Sequence, residues 1–176
     1  MTFRTRGYGD VVLFKGNDKE SRIIEFFLQK MGDSTSPYVH SALRTRRHRA
    51  ESIGFRGYQV YNLNHPPEWC DEFVILRHKD MTSSKRRELR KLNRICSRNY
   101  DWGLILKLGF NSFIPQNSIS DDLSTENEYT CTSRIALMYN LLKMSVIEGV
   151  HYSQINPEHF IDGGNFEVMN EWKRTY

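Results

Sequence analysis

Between residues 39 and 78 the chain falls into short apolar runs separated by turn residues, and that cadence restricts the fold more than any other feature. Residues 39–45, 49–53 and 58–63 each have strand length, and Gly54 and Gly57 punctuate them. A break at Asn64-His65-Pro66-Pro67 precedes another strand candidate at 73–78, and residues 9–14 form an earlier one entered by a turn. Helical spacing surrounds these runs. Residues 19–31 place Ile23, Ile24, Phe26, Phe27 and Leu28 among charges. Thr82 or Ser83 caps a helix through Leu89, Leu92, Ile95 and Cys96, and Asp101 caps another through Leu104, Ile105 and Leu108. A further helix starts at Cys131 and carries Ile135, Met138, Leu141 and Leu142. Residues 111–127 read as a polar loop, 156–160 as a short capped turn, and 162–176 as a segment of no defined form. The pattern is α+β: an antiparallel sheet in the middle of the chain, with helices on either side of it in sequence.

A chain of 176 residues suits one domain, 1–176, with enough material for a core. Its 25 basic and 21 acidic side chains leave a net charge of +4, too mild to imply nucleic acid. Cys70, Cys96 and Cys131 cannot all pair and form no CxxC motif, which fits a reducing compartment. No apolar region follows the first residues, and no run approaches the ~18 apolar residues of a membrane span. The expectation is a cytoplasmic protein without a transmembrane segment.

Chemistry concentrates at Cys131. It lies in Glu128-Tyr129-Thr130-Cys131-Thr132-Ser133-Arg134, between a polar loop and an apolar helical run. A thiol at a helix start meets unpaired N–H groups and the positive end of the dipole, and both favour the thiolate. Small polar neighbours suit an open site, and backbone N–H groups there suit an oxyanion. The alternative is a buried structural cysteine, since the side chain packs as a small apolar group. Cys70 and Cys96 lack such surroundings and read as structural. A nucleophilic thiol needs a base, and the base needs an orienting group. His40, in Tyr38-Val39-His40-Ser41-Ala42-Leu43, shares a strand face with Ala42. Glu51, on the next strand candidate, is placed to lie beside it in an antiparallel pair and to favour its protonated form. The competing reading makes Glu51 the ion-pair partner of Arg44, Arg46, Arg47 or Arg49.

The basic run 44–49 has two readings: a solvated hairpin cap, or a substrate-binding patch for an acidic group or phosphate through Arg44, Arg46, Arg47 and Arg49. Tyr100, Trp102 and Tyr129 are cleft-lining candidates, with aromatic core packing as the alternative. His48 sits in the basic turn. His65, His78, His151 and His159 have no metal-ligand spacing with cysteines or carboxylates, so no zinc site is expected.

Together these segments resemble the circularly permuted branch of the papain-like NlpC superfamily, the YiiX/YebB-like cysteine hydrolases, relatives of the lecithin:retinol acyltransferase-like proteins. Gly9-Asp10-Val11-Val12-Leu13 is similar to the opening "GD-apolar" strand. Val39-His40-Ser41-Ala42 is similar to the strand carrying the base, and Ala50-Glu51-Ser52 to the strand carrying the polar third member. Tyr100-Asp101-Trp102 resembles a "YD-aromatic" stretch, and Tyr129-Thr130-Cys131-Thr132-Ser133 a "YYCSE" segment. Ile155-Asn156-Pro157-Glu158-His159-Phe160 resembles the segment that follows. The likeness spans residues 7 to 162, and the base precedes the nucleophile as permutation requires. It implies Cys131 as nucleophile, His40 as general base and Glu51 as its partner, with an oxyanion held near Cys131, Tyr129 and Thr132. It also implies cofactor-free acyl transfer through a thioester. The first substrate expectation is an amide in a peptide, including a cell-wall-type peptide. Alternatives are transfer to another acceptor, a lipid ester or thioester, or a binding module without turnover. Arg134 departs from the glutamate of many relatives.

Overall fold

The computed structural model describes residues 7–30, 37–54, 57–96, 99–100 and 128–175. Its centre is a strand, β1 (Val11–Gly16), whose first four residues are all buried. Alternate side chains of a strand point to opposite faces, so continuous burial means that both faces are covered. Val11 and Leu13 enter one apolar cluster, and Val12 and Phe14 enter the other.

Around β1 the sheet is antiparallel at every pairing, in the order β4-β3-β2-β1-β5-β8. β2 (His40–Arg46) and β3 (Arg49–Gly54) form a hairpin with an irregularity between Arg44 and Arg46. β4 (Gly57–Asn62) is one edge. β5 (Cys70–His78) flanks β1 on the other side, and β8 (Phe166–Lys173) closes the far edge. Sequence had left residues 162–176 without a form. The reason is that β8 does not alternate: Val168 and Met169 are adjacent and both exposed. Ladder hydrogen bonds to β5, with only Phe166 and Trp172 packed against the apolar clusters, hold it.

Helices flank the sheet, and those of residues 83–95 and 131–141 cover one face of it. α1 (Lys19–Lys30) starts behind Asp18, whose carboxylate accepts from Ser21 N–H at 2.9 Å. α2 (Ser83–Ile95) is capped by Thr82, which accepts from Lys85 N–H at 3.2 Å. α3 (Cys131–Leu141) buries nearly every side chain of its first two turns, so it lies inside the fold and does not present a single apolar stripe. Ile135 and Met138 enter the core, whereas Leu141, expected on the same face, is 57 % exposed. A short helix, α4 (His159–Asp162), follows the turn at Asn156, where the Asn156 side-chain carbonyl accepts from His159 N–H. The opposite face of the sheet is aromatic, with Phe14, Tyr61, Trp69, Phe73 and Trp172 packed in tilted, edge and stacked pairs.

β6 (Asn99–Tyr100) and β7 (Glu128–Tyr129) pair in parallel, which puts the backbone at Tyr100 beside the strand that feeds α3. The helix expected from Asp101 and the loop at 111–127 lie outside the described residues. No described helix is long and apolar enough to cross a membrane.

Gly9 shows why the entry to β1 is glycine. Its φ is +85°, and a Cβ there would sit 2.5 Å from Leu89 Cδ2. Its carbonyl accepts from the buried Tyr139 hydroxyl, which ties α3 to the start of the sheet.

Candidate active site

Cys131 is the first residue of α3, and Thr130 is its N-cap. Thr130 Oγ1 accepts from Ser133 N–H at 3.1 Å, and Ser133 Oγ accepts from Thr130 N–H at 2.9 Å. This reciprocal cap needs small hydroxyl residues at 130 and 133, and both are present. It leaves the N–H groups of Cys131 and Thr132 without intrahelical acceptors, as the first turn of any helix must.

The Cys131 side chain is buried but has polar partners. His40, at the start of β2, is its hydrogen-bond and charge partner, and Ser41 N–H and the Thr132 hydroxyl also donate toward the sulfur. Thr132 Oγ1 lies 3.6 Å from the sulfur and 3.1 Å from Ser41 Oγ, linking helix and strand. Burial pushes the thiol pKa up. The His40 charge, the His40 hydrogen bond and the Ser41 and Thr132 donors outweigh burial and bring it down to about 6. The other cysteines move the opposite way. Burial pushes Cys70 up to about 12 and raises Cys96. Cys131 is thus the one described cysteine whose environment favours a thiolate at neutral pH.

Glu51 is not the partner of His40, which corrects the sequence expectation. The β2–β3 register pairs Glu51 with Leu43, and Leu43 is three residues from His40, on the other face of the strand. There the Glu51 carboxylate accepts from Thr45 Oγ1 at 3.0 Å and Asn93 Nδ2 at 3.3 Å, and pairs with Arg49 at 3.1 Å. Burial raises its pKa, but the Tyr58, Thr45 and Asn93 hydrogen bonds and the Arg49 charge together hold it below its ordinary value. The competing sequence reading, an ion pair with a neighbouring arginine, describes it correctly.

Strand parity places other polar side chains beside His40. Ala50 pairs with Tyr61 and Ser52 with Gln59, which puts Tyr61 and Gln59 on the His40 face. Tyr61 Oη lies 3.0 Å from His40 Nε2 and donates its proton to Gln59 Oε1. A hydroxyl has one proton, so the Tyr61 oxygen accepts from Nε2–H, and Nδ1 is left toward the thiol. Phe14, Tyr61 and Trp69 wall the ring at centroid distances of 6.1, 5.7 and 6.1 Å. Sequence reasoning missed Tyr61 and Gln59. The available signal was the alternation in Tyr58-Gln59-Val60-Tyr61, once the register across two hairpins is known. Tyr61→Phe removes the acceptor that fixes the ring. The expected result is about a twofold loss of thiol reactivity at pH 6.5, smaller than the loss on removing His40 itself, with an unchanged melting profile, read by iodoacetamide labelling and circular dichroism.

Among the arginines expected to bind substrate, Arg44 is engaged otherwise. It reaches Asp10 at 3.2 Å and donates to the Arg47 carbonyl. Arg46, Arg47 and Arg49 line a recess on the Glu51 face. Arg134 is buried and points away from the sulfur, donating to the Asn93 carbonyl and side chain at 3.1 and 3.0 Å. Tyr129 and Tyr100 take part in the β6–β7 pairing through their backbones. Trp102 lies outside the described residues.

No family model and no curated protein matches the sequence. The fold is similar to the crystal structure of the metalloprotein YiiX from Escherichia coli O157:H7, with a TM-score of 0.54 and 14 % identity over 95 % of this chain and 98 % of that one. The chain therefore has a YiiX-like α+β fold. That neighbour is described as a metalloprotein, so the donor set here bears on the question. Among the described residues no group of three or more His, Cys, Asp or Glu side chains is placed to hold a metal ion. His40 and Cys131 supply two donors, and the next polar groups are hydroxyls and an amide, a poor set for a transition metal.

Proposed function

We propose that the chain is a cysteine-dependent hydrolase of the permuted papain-like type, acting on an amide through a thioester. The observation that carries this reading is a buried thiol at a helix N-terminus whose pKa falls to about 6 against the effect of burial, because His40 stands beside it. A structural cysteine has no need of such a partner; Arg174 near Cys70 and Arg134 near Cys96 do not outweigh burial there.

The Cys131 thiolate attacks the substrate carbonyl, and the C=O electrons move onto oxygen. The N–H groups at the start of α3 are the donors closest to hand for that oxyanion. Imidazolium His40 gives its proton to the leaving amine as the C–N bond breaks, leaving a thioester. Water then adds with His40 as base, and the thiolate departs. Tyr61 and Gln59 hold the ring in place through both steps. An acceptor other than water makes the same site an acyltransferase.

Iodoacetamide labelling across pH tests the pair. Thiolate grows as pH rises through the thiol pKa, so wild-type labelling of Cys131 rises with a midpoint near 6. In His40→Ala, only the Ser41 and Thr132 donors still oppose burial, and the midpoint moves above the ~8.5 of a free thiol. At pH 6.5 the thiolate fraction then falls by roughly two orders of magnitude. A high-pKa thiolate is roughly 20-fold more nucleophilic, so the labelling rate falls by only about fivefold. A wild-type midpoint at or above 8.5 would sink the reading.

A further inference from the structure

Opposite His40, on the Glu51 face of the sheet, a recess of about 970 Å³ is lined, among the described residues, by five arginines and one carboxylate. Arg46, Arg47 and Arg49 come from the β2–β3 hairpin, and Arg90 and Arg94 from one face of α2. Such a concentration is unfavourable in the empty protein. Arg90 and Arg94 are four residues apart, a spacing at which like charges on a helix repel. Glu51 offsets only one of the five charges, and Thr45, Asn93, Tyr58 and Arg49 already take its lone pairs. Among the described residues Arg46, Arg47, Arg90 and Arg94 have no carboxylate within ion-pair distance; Arg90 instead stacks over the Tyr8 ring at 4.8 Å. Arg49 keeps a buried Nε with no hydrogen-bond partner. A buried donor left unmade is costly unless something accepts from it.

We propose that this recess binds a small molecule carrying two or more phosphoryl groups. Guanidinium forks match phosphate oxygens two at a time, which accounts for arginine rather than lysine at all five positions. The excess of four positive charges and the volume both exceed what a single phosphate would need. Tyr8 and Tyr58 give the body of such a ligand aromatic walls. The proposal is independent of the thiol chemistry, because the recess lies across the sheet from His40 and shares no residue with that site.

Isothermal titration of the full chain with inorganic tripolyphosphate in 150 mM salt is the test, alongside the Arg90→Ala/Arg94→Ala variant. Both changes are on exposed positions of α2 and leave the Cys131 labelling profile as an internal check on folding. The expected result is saturable one-to-one binding, weakened at least tenfold in the variant while labelling stays unchanged. Sedimentation with phosphatidylcholine vesicles containing 5 % phosphatidylinositol bisphosphate distinguishes a lipid headgroup from a free ligand. Vesicle binding lost in the variant supports the site with a lipid source, and tripolyphosphate binding without vesicle binding supports a soluble one. Absence of both, binding undiminished in the variant, or binding only of a single-stranded oligonucleotide overturns the proposal.

Discussion

Cys131→Ser is expected to reduce turnover of any amide or ester the protein cleaves by ~10⁴-fold or more, the scale seen when a covalent catalyst loses its nucleophile. The substitution changes one atom at a site already lined by Ser41, Thr132 and His40, so the fold should hold to within ~1 kcal/mol. The chemistry fails because a serine hydroxyl does not ionise near neutral pH, whereas this thiol does so from about 6. His40 and its Tyr61–Gln59 support remain, but no thiolate is there to be paired. The measurement is intact mass of the protein after incubation with a panel of amides and esters, with turnover followed in parallel. Wild type should carry an acyl adduct that maps to Cys131 and chases into product. An adduct that survives in the serine variant, or one that maps to Cys70, would remove Cys131 from the mechanism. Cys70 is a weak rival, because burial pushes its thiol up to about 12.

How far the sequence reached is clearest in the contrast between Cys131 and Glu51. The helix start at 131 was legible because its signals are local: a threonine cap, a serine three residues on, and an apolar run behind them. The strands between 40 and 78 were legible for the same reason, through alternation and glycine punctuation. Glu51 was misplaced because orientation within a sheet depends on register, and a shift of one residue moves every side chain to the other face. An irregularity between Arg44 and Arg46 sets that register, and no residue type announces it. Tyr61 reaches His40 only across β3, a relation between strands that are not neighbours. The arginine recess was half visible: the 44–49 run stands out, but Arg90 and Arg94 join it from a helix some forty residues later. β8 was missed because its exposed, partly charged sequence looks like a tail until β5 offers it an edge.

Asp10→Ala is expected to cost about 3 kcal/mol of stability, read as a shift of the urea midpoint at unchanged slope. Asp10 is fully buried just ahead of β1 and holds three arginines from separate parts of the chain. Arg77, from β5, binds it with two hydrogen bonds of 2.9 Å. Arg44, from β2, reaches it at 3.2 Å, and Arg86, from α2, at 3.4 Å. The carboxylate therefore fastens β1 to both neighbouring strands and to a helix, and its removal leaves three cations facing an apolar methyl. Breaking a buried pair usually costs ~3–5 kcal/mol. The lower end applies here because the arginine side chains are 13 to 25 % exposed and part of their charge can turn to water. Arg44 and Arg86 also keep carbonyl acceptors at Arg47 and Tyr8. Glu88→Ala is the control. Its partner Lys91 is 70 % exposed on α2, and losing that pair should cost no more than ~0.5 kcal/mol. Equal midpoints for the two variants would mean that Asp10 is not the fastening it looks to be. A further arm separates charge from space: Asp10→Asn keeps the volume and one acceptor oxygen but cannot neutralise three guanidiniums. If charge dominates, Asn should recover less than half of the loss seen with Ala.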